Sequence, residues 1–334
     1  MSFASTSGEL STADDYSSLE SPRVLLVPMH PGLQYHFCRV GLPTYLLGHW
    51  DQFKYWRPQP PNIRNLLPRF EDLHLSFGPD DYRRLLDEMD ADDGRFDVAW
   101  LHFPWQAKLF LDCKGPPRIY FAAKEDELSL PEWEQILDRP DFRVCSYYPR
   151  TTQWLRETFN VRVSEIELGL DPDEYAGWSG TERRILTVIH SWSIRGWNYP
   201  SYLDATAGLP TIHVDHLDRS KPVVKYDQLR ELYRTSRIYL HDGEREYTIA
   251  LLEALMTGMP IVSFDLPGIE RYVTHGVNGF VGRTSNEIKD YCQLLLDDDD
   301  LATAFGSASR ALALANHHEE RWRRDWRSLL ATAA

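Results

Sequence analysis

Cysteine is scarce in this 334-residue chain. Cys38, Cys113, Cys145 and Cys292 stand far apart, with no CxxC and no histidine at ligand spacing. That argues against a disulfide framework or a zinc module and leaves reduced core thiols as the expectation. Long apolar runs are absent too: none approaches the roughly 20 residues that cross a bilayer. No G-x-G-x-x-G follows any strand-like run, which disfavours a dinucleotide-dependent dehydrogenase. Positive charge is in deficit, with 36 Lys and Arg against 50 Asp and Glu and a formal net charge of -14. Such a balance repels phosphate polymers and anionic lipid at long range, so nucleic acid is not an expected partner. Residues 1–20 are Ser-rich and acidic, with neither a basic n-region nor an apolar h-region. They read as a disordered tail rather than a signal peptide, and a cytoplasmic location is the default expectation.

What the chain does have is 43% hydrophobic residues and a repeating alternation. "RVLLVPMH" (23–30), "FDVAWLHFPW" (96–105), "RIYFAA" (118–123) and "FRVCSYY" (142–148) are short apolar runs that read as buried strands. The first ends in "PG" and is expected to open into a loop. Helix-like stretches such as "DDYRRLLDEMD" and "RTTQWLRETF" lie between them. The pattern restarts at "RRILTVIHSW" (183–192) and runs on through "TIHVDH", "YDQLRELYRTS", "RIYLHDG", "PIVSFD" and "GFVG". Strands alternating with helices predict parallel sheets covered on both faces, so the fold class is α/β in two halves. They meet near 168–180, a Gly/Pro/Asp-rich hinge candidate. We expect a tail at 1–20, domains at 21–165 and 166–315, and a last helix at 316–334. On that helix Trp322, Trp326, Leu329 and Leu330 form one stripe. The stripe suits docking on the body of the protein; weak contact with a membrane surface is the alternative.

The stretch "EREYTIALLEALMTGMPIVSFDLPG" (244–268) concentrates the chemistry. Ile249, Leu252 and Met256 recur at helical spacing over 247–257, Gly258 is a helix terminator and Pro260 forbids continuation. Glu253 sits beside that apolar stripe, where a buried carboxylate needs a partner, either the two hydroxyls of a ribose or a neighbouring Arg; a Glu that faces solvent is the remaining alternative. Glu246 stands seven residues earlier, about 10 Å along a helix axis. Free N–H groups at the helix mouth between the two suit a diphosphate. "IHSWSIRGWN" (189–198) adds His190 and Arg195 after a strand, a place from which a cation can hold phosphate. "DADD" (90–93) and "DDDD" (297–300) read as solvated turns rather than metal ligands. Trp100, Phe103 and Trp105 flank His102, and Tyr35 and His36 follow the first strand. Aromatic faces of this kind stack on sugars, and equally fill ordinary cores.

The order and spacing of "SEIELGLDPDEY", "RRILTVIHSWSIRGWN", "DQLRELYRTSRIYLHDGE" and "YTIALLEALMTGMPIVSFDLPGIERYVTHGVNGFVG" resemble those of nucleotide-sugar glycosyltransferases of the GT-B fold, nearest the retaining, family 4-like group. The resemblance is close over 168–282 and extends to the first half only as an alternating pattern. It implies two Rossmann-like parallel-sheet domains facing across a cleft, acceptor side first and nucleotide-sugar side second. It implies that His190 and Arg195 take the positions of the family's phosphate-binding Arg and Lys. Glu253 then matches the second of two family carboxylates, the one on the ribose. The first falls on Arg245, with Glu244 and Glu246 on either side as its replacements. The donor site implied is His190, Arg195, Glu244, Glu246, Tyr247, Thr248 and Glu253; the acceptor side is Pro31, Gly32 and His102. The glycine-rich loop of the family is reduced here to Gly32, and Ala123 stands where a family His often occurs.

The expected function is then a metal-independent, retaining transfer of a sugar from a nucleotide sugar, a UDP- or GDP-sugar, to a small-molecule or glycan hydroxyl, with no other cofactor. Arg195, Glu246 and His102 are the expected catalytic groups, with electrostatic stabilisation of the departing diphosphate as the main effect. Two alternatives stay open: transfer to modified nucleic-acid bases, and a degenerate non-catalytic partner protein, suggested by Arg245, His190 and Ala123.

Overall fold

The computed structural model describes residues 21–29, 31–50, 57–66, 79–88, 94–112, 116–123, 125–189, 199–215, 224–241 and 245–331. The first half contains β1 (Val24–Leu26), α1 (Pro31–Cys38), β2 (Thr44–Leu46), β3 (Ile63–Asn65), α2 (Pro79–Glu88), β4 (Val98–Leu101) and α3 (Pro104–Asp112). It continues with β5 (Arg118–Ala122), α4 (Leu130–Leu137), β6 (Phe142–Ser146), α5 (Pro149–Phe159) and β7 (Ser164–Glu165). These strands form one sheet in the order β3-β2-β1-β4-β5-β6-β7, and every pairing is parallel. β1, β4 and β5 are buried along their whole length, which is why they read as unbroken apolar runs. β1 opens into coil at 27–29, as expected, and the Pro-Gly pair beyond it begins α1 at Pro31. Proline suits a first helical position because its fixed φ is helical and its missing N–H is not needed there.

The second half contains β8 (Glu182–Val188), α6 (Tyr199–Thr206), β9 (Thr211–Val214), α7 (Tyr226–Thr235), β10 (Ser236–His241) and α8 (Ile249–Thr257). Then come β11 (Ile261–Phe264), β12 (Gly279–Gly282), α9 (Ser285–Asp297), α10 (Asp299–Asn316) and α11 (Glu319–Ala331). Its sheet has the order β12-β11-β10-β8-β9, again parallel throughout. The acidic run at 297–300 is a helix junction: Asp298 caps α10 by accepting from the Leu301 N–H at 2.9 Å.

Both sheets reverse their strand order once, between β1 and β4 in the first and between β8 and β10 in the second. Loops leaving the carboxyl ends of such strand pairs diverge and open a crevice. One apolar cluster spans both halves, from Val24, Phe37 and Trp100 through Leu168 and Tyr175 to Leu251 and Trp326. Trp322 and Trp326 of α11 are fully buried, and Trp326 lies against Phe37, Trp100 and Phe121 of the first half. The last helix thus straps back over the first sheet. Cys38, Cys145 and Cys292 are free, buried thiols; Cys113 lies outside the described residues. Among the described residues no helix is long and apolar enough to cross a membrane.

Candidate active site

Segments of the two halves meet where the Arg245 guanidinium lies over Tyr148 and the Tyr247 hydroxyl reaches the Tyr147 carbonyl. After β4, the His102 and Phe103 N–H groups both donate to Gln106 Oε1, at 2.7 and 3.1 Å, and Gln106 Nε2 donates to the Pro28 carbonyl at 2.6 Å. Gln106 therefore ties the β4 loop to the end of β1. His102 is 7% exposed, with Nδ1 3.3 Å from the Phe121 carbonyl. Burial pushes its pKa down to about 4; the Phe121 carbonyl opposes this and the Arg245 charge adds to it. At neutral pH the ring is uncharged. With Nδ1–H given to Phe121, its Nε2 is an acceptor. Pro31 and Gly32 lie at the start of α1, the first helix after β1.

Opposite, His241 at the end of β10 donates from Nε2 to the Arg245 carbonyl at 2.8 Å. Arg245 lays its guanidinium over the Tyr148 ring of the first domain, 5.2 Å from the centroid. Glu246 is 4% exposed. Its Oε1 accepts the Arg150 N–H at 3.3 Å, one of the free donors at the start of α5. Its Oε2 is buried with no hydrogen-bond partner among the described residues. Burial pushes the Glu246 carboxyl up to about 7, and the Arg150 N–H only partly offsets this. Close to neutrality this group is half protonated, able both to donate and to accept. Gly268, at φ +94°, forms the wall beside it: a Cβ there would stand 2.5 Å from Glu246 Oε2.

Tyr247 is 1% exposed and gives its hydroxyl to the Tyr147 carbonyl at 2.6 Å, a bond between the domains. Thr248 caps α8, its hydroxyl accepting from the Leu251 N–H at 3.1 Å. Glu253 points from α8 into a closed polar cluster and is 1% exposed. Its Oε1 accepts from the Arg57 guanidinium and from the Tyr175 hydroxyl, the latter at 2.7 Å, and its Oε2 from the Tyr233 hydroxyl at 2.9 Å. His36 Nε2 stands 3.6 Å from Oε1, beyond hydrogen-bond reach, and burial lowers its pKa. Burial of Glu253 favours its neutral form, but the Arg57 charge, His36 and the Tyr175 hydroxyl outweigh that and hold its pKa down at about 2. Of the two partners expected for Glu253, the structure contains the Arg. That Arg comes from the other domain, 196 positions away, with no local sequence signal.

The structure therefore brings His102, Glu246, Tyr247 and Thr248 to the segments where the halves meet and sets Glu253 behind them, one helix turn deeper. His190, Arg195 and Glu244 lie outside the described residues. Arg57, Tyr175, Tyr233 and the Arg150 N–H were not singled out from the sequence; Gly268 was legible in principle, as the second half of a Pro-Gly pair. Among the described residues no three His, Cys, Asp or Glu side chains converge as a metal-ligand set.

Residues 221–312 match the family described as glycosyl transferases group 1. No curated protein matches the chain. Among solved structures, Anabaena Alr3699/HepE in complex with UDP and glucose superposes with a TM-score of 0.67 at 11% identity, over 93% of this chain and 100% of that one. Sucrose-phosphate synthase from Thermosynechococcus elongatus superposes at 0.66 and 12% identity, over 93% and 100%. WaaG, a glycosyltransferase involved in lipopolysaccharide biosynthesis, does so at 0.63 and 13%, over 92% and 99%. The expected architecture is borne out over nearly the whole chain: the protein has the GT-B fold of nucleotide-sugar glycosyltransferases, and its second domain carries a glycosyl transferases group 1 segment.

Proposed function

We propose that the protein is a retaining glycosyltransferase that moves a sugar from a nucleotide sugar to a hydroxyl on a small molecule or glycan, without a metal. The observation that carries this reading is the group 1 match over 221–312, because that segment contains Glu246, Glu253 and Gly268. UDP bound in HepE makes a UDP-sugar the first donor to test.

In this reading the diphosphate lies against the loop with His190 and Arg195 and near the mouth of α8. The hexose hydroxyls meet Glu246, with Glu244 as its neighbour on the same turn, and the ribose diol meets Glu253. His102, through a neutral Nε2, and Gly32 face the acceptor. The bond from the anomeric carbon to the diphosphate oxygen breaks while the acceptor oxygen bonds to the same face of that carbon. The acceptor proton passes to the departing phosphate oxygen, so no dedicated base is required. Closure of the two halves excludes water and limits donor hydrolysis.

A second reading, a GT-B protein without transfer chemistry, draws on one observation: both Glu253 oxygens are already occupied by protein donors. Thermal-shift screening with UDP-, GDP-, ADP- and dTDP-sugars, followed by assay of sugar release, separates the two. A stabilising donor that is also turned over establishes the transferase. A protein that binds none and hydrolyses none removes it.

A further inference from the structure

Arg57 belongs to the first domain, on the chain between β2 and β3, yet its side chain ends inside the second. Its guanidinium meets Glu253 of α8 and lies 4.5 Å from the centroid of Tyr226 and 5.9 Å from that of Tyr35. The residue is 8% exposed. Two phenolic rings, a carboxylate and the hydroxyls of Tyr175 and Tyr233 make a cage matched to a cation. Its backbone is anchored as well: Trp50 Nε1 donates to the Arg57 carbonyl at 3.0 Å, and Pro58, Pro60 and Pro61 stiffen the chain on its carboxyl side.

A vicinal diol presents two O–H donors to a carboxylate, and those donors need the same two oxygens. Glu253 is 1% exposed, and its Oε1 already accepts from both Arg57 and Tyr175, so a diol that bridges the two oxygens has no free site on Oε1 while Arg57 is in place. The domains are also joined a few residues away by contacts independent of Glu253. Arg39, just past the end of α1, bonds Asp171 and Glu174, and the Tyr35 hydroxyl donates to Glu174 at 2.6 Å. Withdrawing Arg57 therefore leaves the two halves attached.

We propose that Arg57 is an internal stopper of the nucleoside seat: its guanidinium fills the place at Glu253 that the donor's ribose diol takes, and the donor binds only as Arg57 withdraws. This rests on the assignment of Glu253 to the ribose made under the proposed function. A seat open for only a fraction of the time weakens apparent affinity by that fraction. Removing the stopper then tightens binding with no new contact to the ligand.

The test is calorimetric titration of UDP, GDP, ADP and dTDP into the full-length wild type, Arg57→Ala and Glu253→Gln, with melting curves to check folding. The expected result is a Kd about tenfold or more lower in Arg57→Ala, and loss of binding in Glu253→Gln. If the wild type binds a nucleotide, Glu253→Gln abolishes it and Arg57→Ala binds equally or more weakly, the stopper is refuted while the donor site stands. If neither wild type nor Arg57→Ala binds any of the four, or if Glu253→Gln binds as the wild type does, Glu253 is no nucleoside seat and the stopper falls with it. Should Arg57→Ala not fold, hydrogen exchange of the wild type decides. Saturating nucleotide is expected to speed exchange of the amides in 59–66 as Arg57 leaves its cage; unchanged or slower exchange there overturns the proposal.

Discussion

Two carboxylates seven positions apart on one short stretch are driven in opposite directions, and what surrounds each decides which way. Glu246 is buried with one unpartnered oxygen, so the folded protein holds its proton up to about pH 7, whereas an unfolded chain releases it near the ordinary 4.5. Across that window the native state binds more protons, so this group's contribution to stability falls as pH rises. His102 and His317, both held near 4 by burial, act with the opposite slope between about 6.5 and 4. Comparison with Glu246→Gln isolates the first effect: relative to wild type, the variant is expected to gain about 3 kcal/mol between pH 4.5 and 8, read from urea denaturation at each pH. Glu253 behaves as the reverse case, stabilising above 4.5 and losing that contribution as pH drops toward 2. Glu253→Ala strands Arg57 as a buried, uncompensated cation and is expected to cost about 3–5 kcal/mol in the same assay. The sequence already showed that Glu253 needs a partner. It did not show which, because a partner from across the domain boundary leaves no periodic trace.

At the scale of the element, α8 is the best-determined piece of the molecule. Its end at Gly258, in the left-handed region at φ +95°, follows from the sequence. Its start was expected at Tyr247 and is found at Ile249, because the Thr248 side chain takes the Leu251 N–H and ends the helix there. Thr248→Ala removes that acceptor and is expected to lower stability by about 1 kcal/mol, measured as a shift in the urea midpoint at unchanged slope. The loop after β11 carries a sharper constraint. Gly268 has positive φ, and an added Cβ would lie 2.9 Å from the Glu246 Cβ as well as against its Oε2. Gly268→Ala is expected to cost about 2 kcal/mol and, by pushing Glu246 aside, to reduce sugar transfer more than nucleotide binding. Equal losses in both would separate Gly268 from the sugar end of the site. The strands β2, β3 and β7 escaped sequence reading because two or three residues are too few to display a period.

For the whole molecule, the last helix matters more than its position in the chain suggests. Trp326 of α11 is fully buried against the aromatic floor of the first sheet, with its ring 4.7 Å from that of Trp100. Trp326→Ala is expected to destabilise by about 3–5 kcal/mol and to lower the melting temperature of the protein as one unit, since the cluster it leaves is shared by both halves. A first domain that melted separately, or an unchanged melting temperature, would contradict that coupling. The Trp322 and Trp326 stripe was legible as an amphipathic face. That the first sheet covers it was a matter of three-dimensional closeness between residues some 290 positions apart, Phe37 and Trp326 among them.

By itself the sequence determined the alternation of buried strands with amphipathic helices, the restart at the second domain and the stop of α8. Each is a local consequence of side-chain size, period and backbone freedom. Only the tertiary structure decided that Tyr247 reaches across to the Tyr147 carbonyl, that one Glu246 oxygen stays without a partner among the described residues and its carboxyl is pushed up to about 7, and that Arg57 fills the cage around Glu253. Those depend on which distant groups share a space from which water is excluded, and a low-dielectric neighbourhood is a property of the assembled chain rather than of any stretch within it.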